Sequence, residues 1–308
     1  MSVPVVDAPV STGGHFGMTV SDDGQGWYQD VRDVLRDLAH HWELVYYLTL
    51  RDIRIRYKQA AMGFGWALLM PLMIVGAGLM VQLVLAQGAG KSVSMANLAG
   101  TAIKSLPWAF FVGSIQFATG SLTSNMNLVS KISFPREVLP MSSVFAQSFD
   151  SLISAAALVI VLPFLGVRPT MGLLWLPVLA LLLVIFTVAA ALFLSCANLF
   201  YRDIKYIVQL LLTFGIFFMP VLFEPAMLGA KGARIVMLNP LAILLEGFRI
   251  AVVQGHSLLQ PLTVVRHAVV IPAWEPWYLW YAAIWAIAGC LGALLMFRRL
   301  QYLFAEFI

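Results

Sequence analysis

The chain has 308 residues, 61% of them hydrophobic and only 11% charged, with a mean hydropathy of +0.87. A soluble domain averages about 25% charged residues, so most of this chain must face lipid or its own apolar neighbours, which excludes an ordinary water-soluble enzyme. The net charge of +4, from 19 basic and 15 acidic side chains, is spread over short connecting segments and reports topology, not a nucleic-acid surface.

Residues 1–40 are polar, with Asp22, Asp23, Asp30, Asp33 and Asp37. They lack the basic start and apolar core of a signal peptide, which predicts a cytoplasmic tail whose first 25 or so residues are mobile. Residues 41–63 follow as an amphipathic helix. At 100° per residue Trp42, Tyr46, Leu50, Ile53 and Tyr57 share one face, and Arg51, Arg54 and Lys58 gather opposite. Asp52 and Arg56, four apart with the acid first, have the spacing of a surface ion pair. Such a helix lies in the cytoplasmic headgroup layer, either as a lipid-held anchor or as an element that passes force from a soluble partner.

A membrane span needs about 20 mostly apolar residues. Six runs qualify, at about 64–87, 106–125, 141–165, 173–197, 206–223 and 277–297. The first is loosened by Pro71, Gly76 and Gly78. The segment 88–105, with Lys91 and Lys104, reads as a connection outside the membrane. The polar stretch 126–140 carries Lys131, Arg136 and Glu137, and Pro135 suits the first turn of the next helix with Glu137 near its positive end. Residues 224–276 are broken into apolar pieces too short to cross and too apolar for a loop, the pattern of re-entrant or interfacial helices. The expected fold is therefore an all-α polytopic membrane protein of six transmembrane helices. The transmembrane domain runs over 64–300 and a short tail over 301–308. With the N-terminus inside, twelve of the 19 Lys and Arg fall on the cytoplasmic side, so both termini are expected there.

Chemistry is sparse. Gly88-Ala89-Gly90-Lys91-Ser92 resembles the end of a phosphate-binding loop, but Leu85 stands where the pattern requires glycine. Cys196 and Cys290 lie in separate apolar runs and the five histidines are scattered, so no metal ligand set is expected. Asp150, Glu224, Glu246 and His256 are isolated as catalytic candidates; Glu246 and Arg249 have the spacing of a helix ion pair, and a structural pair is the expectation. Asp150 lies inside a span, where a carboxylate is paired, hydrated or functional. Pairing near the cytoplasmic mouth and substrate contact both remain open for it. Trp274, Trp277, Tyr278, Trp280 and Tyr281 read as an interfacial belt. Trp108, Phe110, Phe111, Phe217, Phe218 and Phe223, at the outer ends of the second and fifth spans, either line an exit on which a hydrated sugar chain slides or pack against lipid.

Several short motifs recur in one order: Arg51-Asp52 through Arg56-Tyr57-Lys58, Gly65-Trp66-Ala67-Leu68, Leu106-Pro107-Trp108, Phe134-Pro135-Arg136-Glu137-Val138-Leu139-Pro140, Tyr201-Arg202-Asp203-Ile204, and Leu238-Asn239-Pro240 followed by Glu246-Gly247-Phe248-Arg249. Over roughly residues 42–300 this set resembles the transmembrane subunit of ABC-2 type polysaccharide exporters, which serve O-antigen, capsule and teichoic acid. The resemblance implies a homodimer in the bacterial inner membrane with two copies of a cytoplasmic ABC ATPase. That partner would hold ATP and magnesium, so this chain needs no cofactor and is not itself an enzyme. It further implies ATPase contacts at Arg51, Arg54, Lys58, Lys131, Pro135, Arg136, Glu137, Arg202 and Asp203. A path for lipid-linked glycan would run by Trp66, Trp108, Phe111, Phe217, Phe218 and Phe223, and the Glu246–Arg249 pair would stand at the outer mouth. Two other classes fit the topology less well. A small-molecule drug or lipid exporter of the same type lacks a reason for the glycan-type motifs, and a membrane-embedded glycan-lipid transferase needs clustered acidic or His residues, which are missing.

Overall fold

The computed structural model describes residues 36, 41–58, 65–88, 94–129, 135–266 and 269–300. The polar tail up to residue 35, Lys91, Lys131, the side chains of Trp66 and Pro71, and residues 301–308 lie outside the described residues. The fold is a helical bundle. Its long helices are α1 (Trp42–Lys58), α2 (Gly65–Gly88), α3 (Met95–Thr119), α4 (Val138–Val161), α5 (Leu176–Phe200) and α6 (Ile204–Phe218). The short α7 (Gly229–Val236) and α8 (Pro240–Arg249) follow, then strands β1 (Leu262–Arg266) and β2 (Val269–Trp274), and finally α9 (Trp277–Leu300). Among the described residues four helical segments are long and apolar enough to cross a membrane, Met95–Thr119, Val138–Leu165, Met171–Phe200 and Trp277–Leu300, while Ile204–Phe218 and the described part Leu72–Val81 are shorter.

α3 is the central post, packed against α2, α4, α5 and α8. Between helices in lipid, close van der Waals fit replaces the hydrophobic driving force, and small residues permit it. Buried Ala99, Gly100, Ala102, Ser105, Ser114 and Ala118 serve this on α3. On α9 buried Ala282, Ala286 and Ala293 do the same against α5, and a Cβ at Gly289 would lie 3.7 Å from Ala189 Cβ. Hydroxyls within the helices donate back to carbonyls a turn earlier, as in Thr119 to Ile115 and Thr187 to Leu183, both at 2.7 Å, which satisfies these polar groups inside the bundle.

Two expectations need correction. The second long helix starts at Met95, not near Leu106, and ends at Thr119; the charge of Lys104 marks a connection only if it meets water, and here it is neutralised inside the bundle. The all-α class is also incomplete. β1 and β2 form an antiparallel hairpin, with Val264 opposite Ile271 and an irregularity between Leu262 and Thr263. The β-branched run Thr263, Val264, Val265 and Val269, Val270, Ile271 is the local cause. The polar stretch also differs in detail: Val138 opens α4, Glu137 occupies its N-cap position, and Pro135 precedes the first turn.

α8 enters the bundle between α3, α5 and α9, with every residue from Leu241 to Gly247 buried. Asn239 caps it, its side chain accepting from the Leu241 amide at 2.9 Å, and Pro240 occupies the first turn. Trp274, at the end of β2, is fully buried and donates Nε1 to the Leu258 carbonyl at 2.9 Å.

α2 meets α3 where Gly78 faces Thr101: a Cβ on residue 78 would lie 2.4 Å from Thr101 Cγ2. Gly78→Ala is therefore expected to lower stability by about 1–3 kcal/mol through overpacking, and Thr101→Ser, which deletes that methyl, is expected to restore it. Thermal unfolding of the solubilised protein reads both; a loss that Thr101→Ser leaves unrelieved would refute the close approach.

Candidate functional site

Two buried charge constellations tie the bundle together, one at the end that carries α1 and one at the opposite end. α1 packs on α4 through buried Val45 and Leu48, and the same inward stripe carries Asp52 and Arg56. Arg56 Nη1 pairs with Asp150 Oδ2 at 2.7 Å and donates to Gln147 Oε1 at 2.9 Å. Its guanidinium lies 3.9 Å from the centroid of the Phe117 ring. Tyr57 donates its hydroxyl to the other oxygen of Asp150. Burial first, then the hydrogen bond and charge of Asp150, push the Tyr57 phenol above its ordinary range. Asp52 turns to Arg51 at 2.9 Å and accepts from Ser142 at 3.2 Å.

The expected Asp52–Arg56 pair is therefore not formed: Arg56 has a better-buried counterpart in Asp150 of α4, and Asp52 turns to its neighbour Arg51 and to Ser142. Asp150 is paired with Arg56 and accepts from Tyr57. The aromatic stripe of α1 is not its buried face: Trp42 and Tyr46 are exposed, with Trp42 touching Phe145 edge-on. Arg51 is occupied by Asp52, while Arg54 and Lys58 project outward. At the foot of α4, Arg136 Nε donates to the Val129 carbonyl at 3.0 Å. Burial holds the Arg136 guanidinium below its ordinary range, opposed by the charge of Glu137. Arg202 and Asp203 are exposed, with Asp203 at the N-cap position of α6. The contact candidates thus share one end of the bundle with α1, since α1 leads into α2, α3 ends there, and α4 and α6 begin there.

The aromatic candidates do not converge on one wall. Trp108 is 4% exposed and stacks obliquely on Phe111, which in turn meets Phe186, with ring centroids 6.2 and 6.1 Å apart. A Cβ at Gly215 of α6 would lie 3.0 Å from Trp108 Cη2, so Gly215 is the space that admits the indole. Trp108 therefore packs inside the bundle. Phe217 and Phe218 instead stand out from α6, 65% and 78% exposed, beside exposed Leu210, Leu211 and Phe214. Phe223 is half-buried beyond the end of α6.

At the opposite end Glu246 and Arg249 do pair, Nη2 to Oε1 at 2.5 Å, and the pair is part of something larger. Arg249 Nη1 reaches Glu224 Oε1 at 3.1 Å, and Lys104 Nζ lies 3.8 Å from Glu246 Oε2 while donating to the Phe223 carbonyl at 2.7 Å. Two cations and two carboxylates balance in a site where the Lys104 and Glu246 side chains are each 2% exposed. Sequence reasoning took Glu224 as an isolated acid and Lys104 as part of a connection, and missed that both join the Glu246–Arg249 pair; the available signal was Gly100, one turn before Lys104, where an added Cβ would lie 3.1 Å from the Arg249 stem. Among the described residues no group of three or more His, Cys, Asp or Glu is placed to hold a metal.

Comparison with known proteins follows this geometry closely in extent. The family model described as ABC-2 type transporter matches residues 43–253, from the start of α1 to the turn after α8. The chain is 26% identical over 275 residues to an O-antigen export system permease protein of Klebsiella pneumoniae, covering 88% of this chain and 97% of that one. A protein of the same description from Myxococcus xanthus is 26% identical over 245 residues, 78% of this chain and 92% of the relative.

Removing Asp150 leaves Arg56 nearly buried without a counter-charge. Asp150→Ala is expected to destabilise by about 3–5 kcal/mol, and Arg56→Met with Asp150→Leu by much less than the sum of the single changes. Denaturation of the three variants measures the coupling; strictly additive losses would deny it.

Proposed function

Since the chain belongs to the ABC-2 type transporter family, we propose that it is the membrane subunit of an ATP-driven exporter that carries a lipid-linked polysaccharide of the O-antigen type across a bacterial inner membrane. The observation that carries this reading is the similarity, over almost the whole length of both chains, to permeases of O-antigen export systems. In this reading α2, α3, α4, α5, α6 and α9 are six spans, α1 is an interface helix in the cytoplasmic headgroup layer, and α7 and α8 are re-entrant at the outer mouth. Twelve of the 19 Lys and Arg then lie inside, with both termini.

A separate ATPase, carrying ATP and magnesium, docks on the α1 end. Arg54 and Lys58 project from α1, Arg202 and Asp203 from the turn before α6, and Pro135, Arg136 and Glu137 border the segment with Lys131. The tie of Arg56 to Asp150 supports a coupled motion, because α1 and the foot of α4 are then held as one unit on which the ATPase acts. A second copy of the chain supplies the other half of the pathway. The exposed ring and leucine face of α6, with Phe217 and Phe218, lines the passage between copies, where sugar rings stack without tight binding. Trp108 and Phe111 support that wall from behind through Gly215.

Cells lacking the gene are expected to accumulate the lipid-linked polymer on the inner face of the membrane and lose it from the surface, with both restored by complementation; mass spectrometry of lipids and surface glycans decides. An unchanged glycan profile would transfer the reading to export of small hydrophobic molecules. The double change Arg136→Glu with Glu137→Arg is expected to abolish co-purification of the ATPase while leaving membrane insertion intact. Normal recovery of the complex would remove this segment from the docking surface.

A further inference from the structure

We propose that Lys104 and Arg249 are positioning residues that clamp the chain at Phe223 and Glu224, so that α6 swings about a fixed far end when its other end is driven; this rests on the transport reading above. α6 is poorly held along its length, with Val208 as its one buried residue. Its neighbours are few, α3 and α5, and it ends abruptly at Met219, which is extended with φ −92° and ψ 147°. The linker beyond is the reverse. Pro220 and Val221 are buried, and the Asn239 side chain donates to Met219 Sδ at 3.6 Å. Then come two grips on consecutive residues: Lys104 holds the main-chain carbonyl of Phe223, and Arg249 holds the side chain of Glu224.

Both grips are braced. Glu246 lies between Lys104 and Arg249, at 3.8 and 2.5 Å, and Gly100 seats the Arg249 stem against α3. The cations come from α3 and α8, neither of which belongs to α6, so the anchor stays with the bundle while α6 moves. Releasing Glu224 leaves two cations to share the one carboxylate of Glu246 in a low-dielectric site, which keeps the clamp shut. Glu224 is the accessible member, 26% exposed against 2% for Glu246, and is the one that arrives with the linker. Neutralising it weakens one grip without dismantling the Lys104, Glu246 and Arg249 brace.

The test uses the full permease–ATPase complex in nanodiscs, wild type, Glu224→Gln and Glu224→Asp, with and without a trapped nucleotide, read by amide hydrogen exchange and by ATP hydrolysed per polymer exported. In the wild type, amides of 219–228 are expected to exchange slowly in both nucleotide states while those of 204–212 respond to nucleotide. Glu224→Gln is expected to speed exchange in 219–228 by about tenfold, with 240–249 unchanged. It is also expected to raise ATP consumed per polymer about fivefold at normal complex yield, with Glu224→Asp recovering most of the loss. Equal exchange of 219–228 in wild type and Glu224→Gln overturns the clamp, as does an export loss that merely follows complex yield. A silent 204–212 segment overturns the pivot. Failure of the wild-type complex to export any glycan instead removes the substrate reading, and the exchange pattern still decides the clamp.

Discussion

Charge kept from water sets the order of this bundle. An ion in a low-dielectric interior costs several kcal/mol unless a partner of opposite sign and hydrogen-bonding reach meets it. Lys104 and Asp150 stand inside the two helices at the centre, α3 and α4, and each finds its partner on another element: Lys104 on α8 and the linker after α6, Asp150 on α1. Segments too short or too weakly apolar to fix their own place are located by these ties. α1 is held at a defined angle on α4, and the linker after α6 at a defined point on α3.

The two ties also join weakly packed elements to a closely packed body. α3, α5 and α8 are the deeply buried helices, and α4 and α9 pack on them, a close-packed unit in lipid. α1 is exposed on its aromatic side and joined to the body by Arg56, Tyr57, Val45 and Leu48. α6 is exposed on most of its surface and joined mainly at its far end. In the proposed reading, force entering at α1 would reach α4 through the Arg56–Asp150 ion pair, while α6 would answer by rotation.

Much of the architecture could be read from the chain itself. Runs of apolar residues locate most of the long helices, since length and hydropathy are local properties; α9 begins at Trp277, where the last apolar run begins, whereas α3 starts eleven residues before its run. Asp150 was recognisable because an acid within a span demands an explanation, and Glu246 with Arg249 because their spacing is helical. What could not be read depends on partners remote in sequence. Lys104 looked like a loop residue because Glu246, 142 positions later, neutralises it only after folding. Asp52 and Arg56 have ideal spacing for one another, yet Asp150 outbids the local pair for Arg56 because burial strengthens it. The hairpin was hidden by the apolar composition of its surroundings, which masks a period of two. Trp108 looked like a lining ring because nothing in its neighbourhood announces that Gly215, more than 100 residues on, opens a slot for it.

The length of α6 closes the argument. Its 15 residues span about 22 Å, against a hydrocarbon core of about 30 Å. A helix this short leaves its terminal carbonyls within the apolar layer unless the chain beyond is sheltered by protein, and unsatisfied backbone there is costly. The linker from Met219 to Glu224 meets that need: the Phe223 carbonyl takes the ammonium of Lys104, Val221 is fully buried, and Glu224 arrives already paired. A longer, self-sufficient helix would need none of these contacts and would have no fixed end. The same shortness thus forces the far end of α6 into the charged site, and ties the placement of one weakly packed helix to four side chains drawn from three distant parts of the chain.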